Sequence, residues 1–194
     1  MQLSFLLARL SARGKLLAFM NFAFFGSFFL FVVLFDVVLY PTLYSDLKLP
    51  FPELFSSSSI YLALLNIFLS NLFLSAIAVI TLPGFIFFPL SVGFLLFRSF
   101  IWGLLFSQQP SLIFLVAVPT LIIEGEAYCI AAVCGTVVGA SWVKPRWVYG
   151  SEDLKRRESF KRALKECIGL YVFVILLLLI AAIIETIILT VVLK

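Results

Sequence analysis

Residues 112–142 read LIFLVAVPTLIIEGEAYCIAAVCGTVVGASW, and this stretch decides the fold class. A helix needs about 20 mostly apolar residues to cross a bilayer, and the stretch is longer than that. It holds Pro119, Gly125 and two glutamates, which favour a kink or a break and leave open whether the helix crosses once or re-enters. We therefore expect an all-α integral membrane protein.

The rest of the chain continues this apolar pattern on both sides. The sequence is 63% hydrophobic and 12% charged, against about 25% charged residues in soluble domains. Its mean hydropathy is +1.19. The pair Pro83-Gly84 is expected to end the second apolar run. We predict one transmembrane domain over residues 1–194, a polytopic bundle of about five helices with a kinked or broken fourth helix. The predicted spans cover, approximately, residues 16–40, 60–80, 85–106, 112–142 and 168–193.

The basic residues concentrate between the last two runs, where residues 143–166 hold eight of the fourteen Lys and Arg residues. An excess of Lys and Arg marks the cytoplasmic side, and five spans place the N-terminus on that side too. We predict a multi-pass protein of the cell membrane with a cytoplasmic N-terminus and an extracytoplasmic C-terminus. This basic loop is expected to form an amphipathic helix on the anionic inner leaflet, or to dock a cytoplasmic partner. Its membrane-surface residues would be Lys155, Arg156, Arg157, Lys161 and Arg162.

Four ionisable residues lie inside the predicted spans and should face the interior of the bundle. Counting along each span places Arg98, Glu124 and Glu185 at similar depth, and Glu126 lies close by. Glu124 and Glu126 are about 200° apart on a helix, so both can face Arg98 only if the helix breaks near Gly125. This intramembrane polar cluster is either a structural ion pair that fixes the register of the helices, or a site for an ion, a proton or a lipid headgroup.

Small residues recur every four positions after the glutamates and form a stripe along one side of the helix. Such a stripe lets a second helix approach closely, in the same chain or in a dimer. The helix-packing residues are Ala127, Ala131, Gly135 and Gly139. In the second span, Asn66 and Asn71 are expected to hydrogen-bond neighbouring helices.

The residues that are missing exclude several classes of protein. The chain contains no histidine, which excludes His-ligated zinc sites, His-dependent hydrolases and His-ligated haem. It also lacks a Gly-rich phosphate loop with lysine. We therefore expect no enzyme, no catalytic residue, no metal, no cofactor and no nucleic-acid partner.

The run from Pro119 through Glu124 to Ala127, followed by Gly135 and Gly139, resembles the signature of the stage II sporulation protein M family. The segment Phe68-Leu-Ser-Asn71-Leu and the position of Gly93 add to the resemblance, which covers residues of about 58–140. This chain has Thr120-Leu121 where the family has His-Gly, Gly125-Glu126 where it has an apolar residue and Pro, and Val92 where it has Asn.

The resemblance implies a small polytopic scaffold, because the family member of sporulating bacteria recruits and holds cell-wall remodelling proteins in the membrane. Our leading hypothesis is a non-enzymatic membrane scaffold or assembly subunit that associates through the stripe of small residues. A proton- or ion-linked channel or transporter, and a lipid-handling protein, are the alternatives. The expected partners are membrane lipid, a second copy of the chain in a dimer, and a membrane or cytoplasmic protein.

Overall fold

In the computed structural model, which describes residues 11–39, 60–107, 111–150 and 154–191, the chain is a bundle of helices, and no strand occurs among these residues. Five of the helices are long and apolar enough to cross a membrane, which confirms the predicted all-α polytopic fold. The predicted loop over residues 41–59 lies outside the described residues. In chain order the helices are α1 (Gly14–Val33), α2 (Ile60–Ile86), α3 (Pro89–Ser107), α4 (Ser111–Val143), α5 (Pro145–Tyr149) and α6 (Arg156–Val191).

Two of the helices contain π-helical segments that the sequence does not signal. After Val33, α1 continues as a π-helix over Leu34–Leu39. The middle of α2 is a π-helix over Ser70–Thr81, between α-helical ends. π-helical turns are rare, and they occur often where a helix carries functional or unusually packed side chains.

The helix α2 passes through Pro83 and Gly84, where the sequence predicts its end. It ends at Ile86, the backbone of the next residue, Phe87, is extended, and α3 then begins at Pro89. Proline has no backbone N–H, so a carbonyl group near it in the helix lacks a hydrogen-bond donor. In a membrane, a side chain of a neighbouring helix can donate to such a carbonyl. Ser91 of α3 does so here, since its Oγ donates to the carbonyl of Ile80 at 2.9 Å.

The helix α4 is continuous through Pro119 and Gly125, so the alternatives of a break and of re-entry are wrong. It is the central helix, because it contacts all five other described helices. Residues 127–134 are all buried, and they cover every side of the helix. A helix that is apolar on all sides belongs in the interior of a bundle.

The helix α6 joins two elements that the sequence predicts as separate. It runs from Arg156 to Val191 without interruption, so the predicted amphipathic helix is the first part of the last span. At about 1.5 Å per residue it is roughly 54 Å long, well beyond the hydrocarbon thickness of about 30 Å. The apolar side of its basic part packs on the protein, with the Phe160 ring 5.9 Å from that of Trp142 and Ala163 buried. The prediction of a surface helix lying flat on the inner leaflet is therefore wrong.

Candidate functional site

Three polar side chains from α3 and α4 meet in the interior of the bundle. Glu124 and Tyr128 are four residues apart on α4 and therefore share one side of the helix. Arg98 reaches them from α3. We call Arg98, Glu124 and Tyr128 the polar centre.

The hydrogen bonds of the polar centre form a closed triangle. The Tyr128 hydroxyl donates to Glu124 Oε1 at 2.5 Å. Arg98 Nη2 donates to the Tyr128 hydroxyl at 3.2 Å and to Glu124 Oε1 at 3.5 Å. The guanidinium group also lies over the rings of Tyr128 and Trp102, at 5.2 Å and 5.6 Å from their centroids. The short contact to tyrosine makes Tyr128 the direct partner of the carboxylate, with Arg98 supplying the opposite charge.

Burial is uneven across the polar centre. Tyr128 is 0% exposed and Glu124 is 6% exposed, whereas the side chain of Arg98 is 29% exposed. A buried carboxylate without partners would be costly in a low-dielectric interior, and hydrogen bonds with an opposite charge offset that cost. The polar centre is thus closed around the carboxylate and open only beside the guanidinium group.

Residues from two further helices complete its surroundings. Glu185 of α6 is half-buried and interacts electrostatically with Glu124 and Arg98, so the structure brings together the three charges that share one depth. Ser75, in the π-helical part of α2, is buried close to the hydroxyl of Tyr128. The sequence analysis missed Tyr128, although its position four residues after Glu124 was a usable signal.

Glu126 does not join this cluster. It lies on another side of α4, beside Asn21 of α1. Because α4 does not break at Gly125, the two glutamates keep their separation of about 200° around the helix. The grouping of Glu126 with Arg98 was therefore wrong.

The stripe of small residues packs inside this one chain. Ala127 and Ala131 are completely buried. A Cβ on Gly135 would lie 2.8 Å from the carbonyl oxygen of Thr81, and one on Gly139 would overlap the carbonyl oxygen of Gly84. The end of α2 therefore occupies the stripe, so our hypothesis that the stripe associates with a partner is wrong.

The two asparagines of α2 differ in their surroundings. Asn66 is exposed on the outer side of the bundle, and Asn71 is half-buried. The hydrogen bond of Asn66 to a neighbouring helix therefore stays a prediction, and its exposure makes it accessible to a helix of another chain.

The predicted membrane-surface residues lie on the first turns of α6. Lys155, Arg156, Arg157 and Lys161 are exposed. Arg162 is exposed as well, and its guanidinium group lies over the ring of Tyr149, at 4.6 Å from its centroid.

The start of α1 is joined to this basic segment. Arg13 Nη2 lies 2.8 Å from Glu166 Oε2, and Arg13 Nη1 donates to the carbonyl of Val148 at 3.0 Å. Arg13 also lies over the Tyr149 ring, 5.4 Å from its centroid. Burial, and then the Glu166 carboxylate, raises the pKa of Tyr149 to about 12. The N-terminal end of α1 and the basic segment therefore lie at the same end of the bundle.

The chemistry open to these groups is limited. In the part of the chain that the structure describes, no three His, Cys, Asp or Glu side chains gather as metal ligands. The cysteines Cys129, Cys134 and Cys167 are free and buried. The hydrogen bonds of the polar centre instead join α3 to α4, beside Ser75 of α2.

A model of the family described as stage II sporulation protein M matches residues 16–188, which is most of the chain. Comparison with curated proteins and comparison with solved structures found no match. The family match extends over all five spanning helices, and it includes the polar centre and the end of the bundle that carries the basic segment. The chain is a member of the stage II sporulation protein M family.

Proposed function

We propose that this chain is a non-enzymatic assembly subunit of the membrane, which holds its partners by helix contacts within the bilayer. The observation that carries the proposal is the closure of the polar centre around Glu124. A carboxylate that transports ions or protons must be able to release one partner and bind the next. The carboxylate of Glu124 is instead hydrogen-bonded to a buried tyrosine. The buried carboxylate of Glu124 thus serves to join helices. A bundle whose helices are held in fixed positions can present a constant surface to partner proteins.

We assign the contact surface to the outer side of α2. Asn66 and Ser70 are exposed there, one helical turn apart. The neighbouring Leu62 and Phe73 are 52% and 58% exposed. A side-chain amide in hydrocarbon is costly without a hydrogen-bond partner, and polar side chains in such positions bond across helices.

The occupant that we propose for this surface is a second copy of the chain. An asparagine amide both donates and accepts hydrogen bonds, so two Asn66 side chains related by a twofold axis can pair with each other. Twofold dimers are also the commonest closed assemblies. In such a dimer the remaining lipid-facing helices stay available to other membrane proteins, as the scaffold role implied by the family resemblance requires.

Disulfide cross-linking in native membranes tests this assignment. The three native cysteines are buried, so a cysteine introduced at the lipid-facing surface is the reactive one. Asn66→Cys should give a covalent dimer on mild oxidation, because the twofold axis brings the two positions together. Ile187→Cys is the matched control, since Ile187 is 55% exposed on α6 and lies, like Asn66, towards the end of the bundle opposite the basic segment. Equal cross-linking at both positions, or none at Asn66→Cys, would show that α2 is not the dimer contact.

A further inference from the structure

One side of the central helix α4 is exposed over its first half, although the second half is buried on all sides. Four residues at helical spacing form this side, and we call them the open face of α4: Leu115, Pro119, Ile122 and Glu126. Leu115 and Ile122 are 67% and 54% exposed, Pro119 is exposed, and Glu126 is half-buried. Residues 127–134 are all buried, so the open face ends at the glutamate.

Glu126 lies deep in the membrane. It is the sixteenth of the 33 residues of α4, and a helix centred on a hydrocarbon layer of about 30 Å places such a residue roughly 15 Å from either surface. Lipid headgroups and dissolved ions lie outside this depth. A carboxyl group there is costly unless it has a partner, so its partner should be carried by a helix that spans the membrane.

The described part of the chain gives Glu126 no cation. None of the ion pairs among the described residues includes it. It lies beside Asn21 of α1, whose amide oxygen is buried and accepts no hydrogen bond from the described residues. The carboxylate and the amide oxygen are both acceptors, whereas the charged groups of lysine and arginine carry only donors. One such group would therefore satisfy both oxygens.

A second copy of the chain does not offer a free cation at this depth. Among the described residues, Arg98 is the one Lys or Arg that lies at the middle of a spanning helix. Its guanidinium group already contacts Glu124 and Tyr128. The charge that complements Glu126 should therefore come from a different protein.

We propose that the open face of α4 is the docking site for a spanning helix of a different membrane protein, and that this helix places a lysine or an arginine against Glu126. The inference rests on the proposed function as an assembly subunit, and it names the chemistry of the partner. The apolar residues of the open face pack against the partner helix. The ion pair at Glu126 fixes the depth of that helix and selects it from others.

Synthetic helices in phosphatidylcholine vesicles test the proposal through energy transfer from the labelled full chain. The probe helix has about 20 leucines with one lysine at its centre, and the matched helix has leucine at that position. Glu126→Gln removes the charge at nearly constant size. Glu185→Gln is the control variant, because Glu185 is also a half-buried carboxyl in a spanning helix but lies on α6. Gel filtration checks that both variants remain folded.

The wild-type chain should bind the lysine helix about tenfold more tightly than the leucine helix. Glu126→Gln should abolish this preference, and Glu185→Gln should keep it. Equal binding of the two helices by the wild-type chain, or equal loss of the preference in the two variants, would overturn the proposal.

Cross-linking of Asn66→Cys separates this inference from the proposed function. If the covalent dimer forms and the lysine helix is not preferred, the chain remains an assembly subunit and the docking site on α4 is wrong. If the lysine helix is preferred and no dimer forms, the docking site stands and the contact on α2 is wrong. Loss of the dimer when Glu126→Gln is added to Asn66→Cys would show that a second copy covers the open face, which would overturn the choice of a different protein.

Discussion

Tyr128 is the residue that allows Glu124 to remain in the interior of the bundle. Its hydroxyl donates to the carboxylate at 2.5 Å and accepts from Arg98 at 3.2 Å, so it bonds to both charges. The Arg98–Glu124 contact is longer, at 3.5 Å. The stability of the polar centre should therefore depend on the tyrosine as well as on the ion pair.

We expect Glu124→Gln to lower the melting temperature of the purified protein by about 5 °C, because Arg98 loses its counter-charge inside the membrane. Tyr128→Phe should have an effect of similar size, since it leaves two buried polar groups without their shared partner. Differential scanning fluorimetry in detergent measures both variants.

Glu126→Gln is the control for these two variants. Glu126 is half-buried beside Asn21, and a glutamine keeps the size of the glutamate and an oxygen that can accept a hydrogen bond. Its melting temperature should stay within about 2 °C of the wild-type value. A loss at Glu126→Gln as large as that at Glu124→Gln would mean that the polar centre has no special place in the stability of the fold.

At the scale of single helices, the close contact between α4 and the end of α2 depends on glycine. A Cβ on Gly139 would overlap the carbonyl oxygen of Gly84 and would lie 3.1 Å from the backbone nitrogen of Phe88. These are backbone atoms, which cannot turn aside as a flexible side chain can. Gly93 of α3, in contrast, has open space around it.

We therefore expect opposite signs for two identical substitutions. Gly139→Ala should destabilise the protein by about 1–3 kcal/mol, because α2 must move away from α4. Gly93→Ala should be neutral or should stabilise by up to about 1 kcal/mol, since alanine favours a helix more than glycine does. Denaturation in mixed micelles measures both, and equal destabilisation of the two variants would contradict this account of the stripe.

The number of spans is predictable from the sequence because hydrocarbon selects long apolar runs whatever their packing. The bounds of α6 are not, since its basic first turns have the composition of a loop. They become helical because Phe160 packs against Trp142 of α4 and Ala163 is buried in the bundle. The π-helical part of α2 also lacks a signal in the sequence, because its geometry depends on the helices that surround it.

The candidate site is predictable only in part, for a related reason. Counting residues gives the depth of a charge, and so places Arg98, Glu124 and Glu185 together. Counting does not give the direction in which a side chain points. For Glu126 that direction depended on whether α4 breaks at Gly125. Likewise, a stripe of small residues predicts a close neighbour but cannot tell a helix of the same chain from one of a partner.

On the scale of the whole molecule, α4 is the central helix of the bundle. The charged and polar residues are distributed unevenly along it. The basic end holds the Arg13–Glu166 ion pair. The polar centre lies within the bundle and links α4 to its neighbours. The outer side of α2 presents Asn66 to the membrane. A structural core with separate outer surfaces is the arrangement that an assembly subunit requires.

The most direct test of this account is proton and potassium flux through vesicles that contain the purified protein, since the central claim is that the polar centre joins helices and does not conduct. We predict that wild-type vesicles leak at the rate of empty vesicles and that Glu124→Gln leaves this rate unchanged. A flux in the wild-type vesicles that Glu124→Gln abolishes and Glu126→Gln preserves would contradict the account and would make the polar centre a transport site.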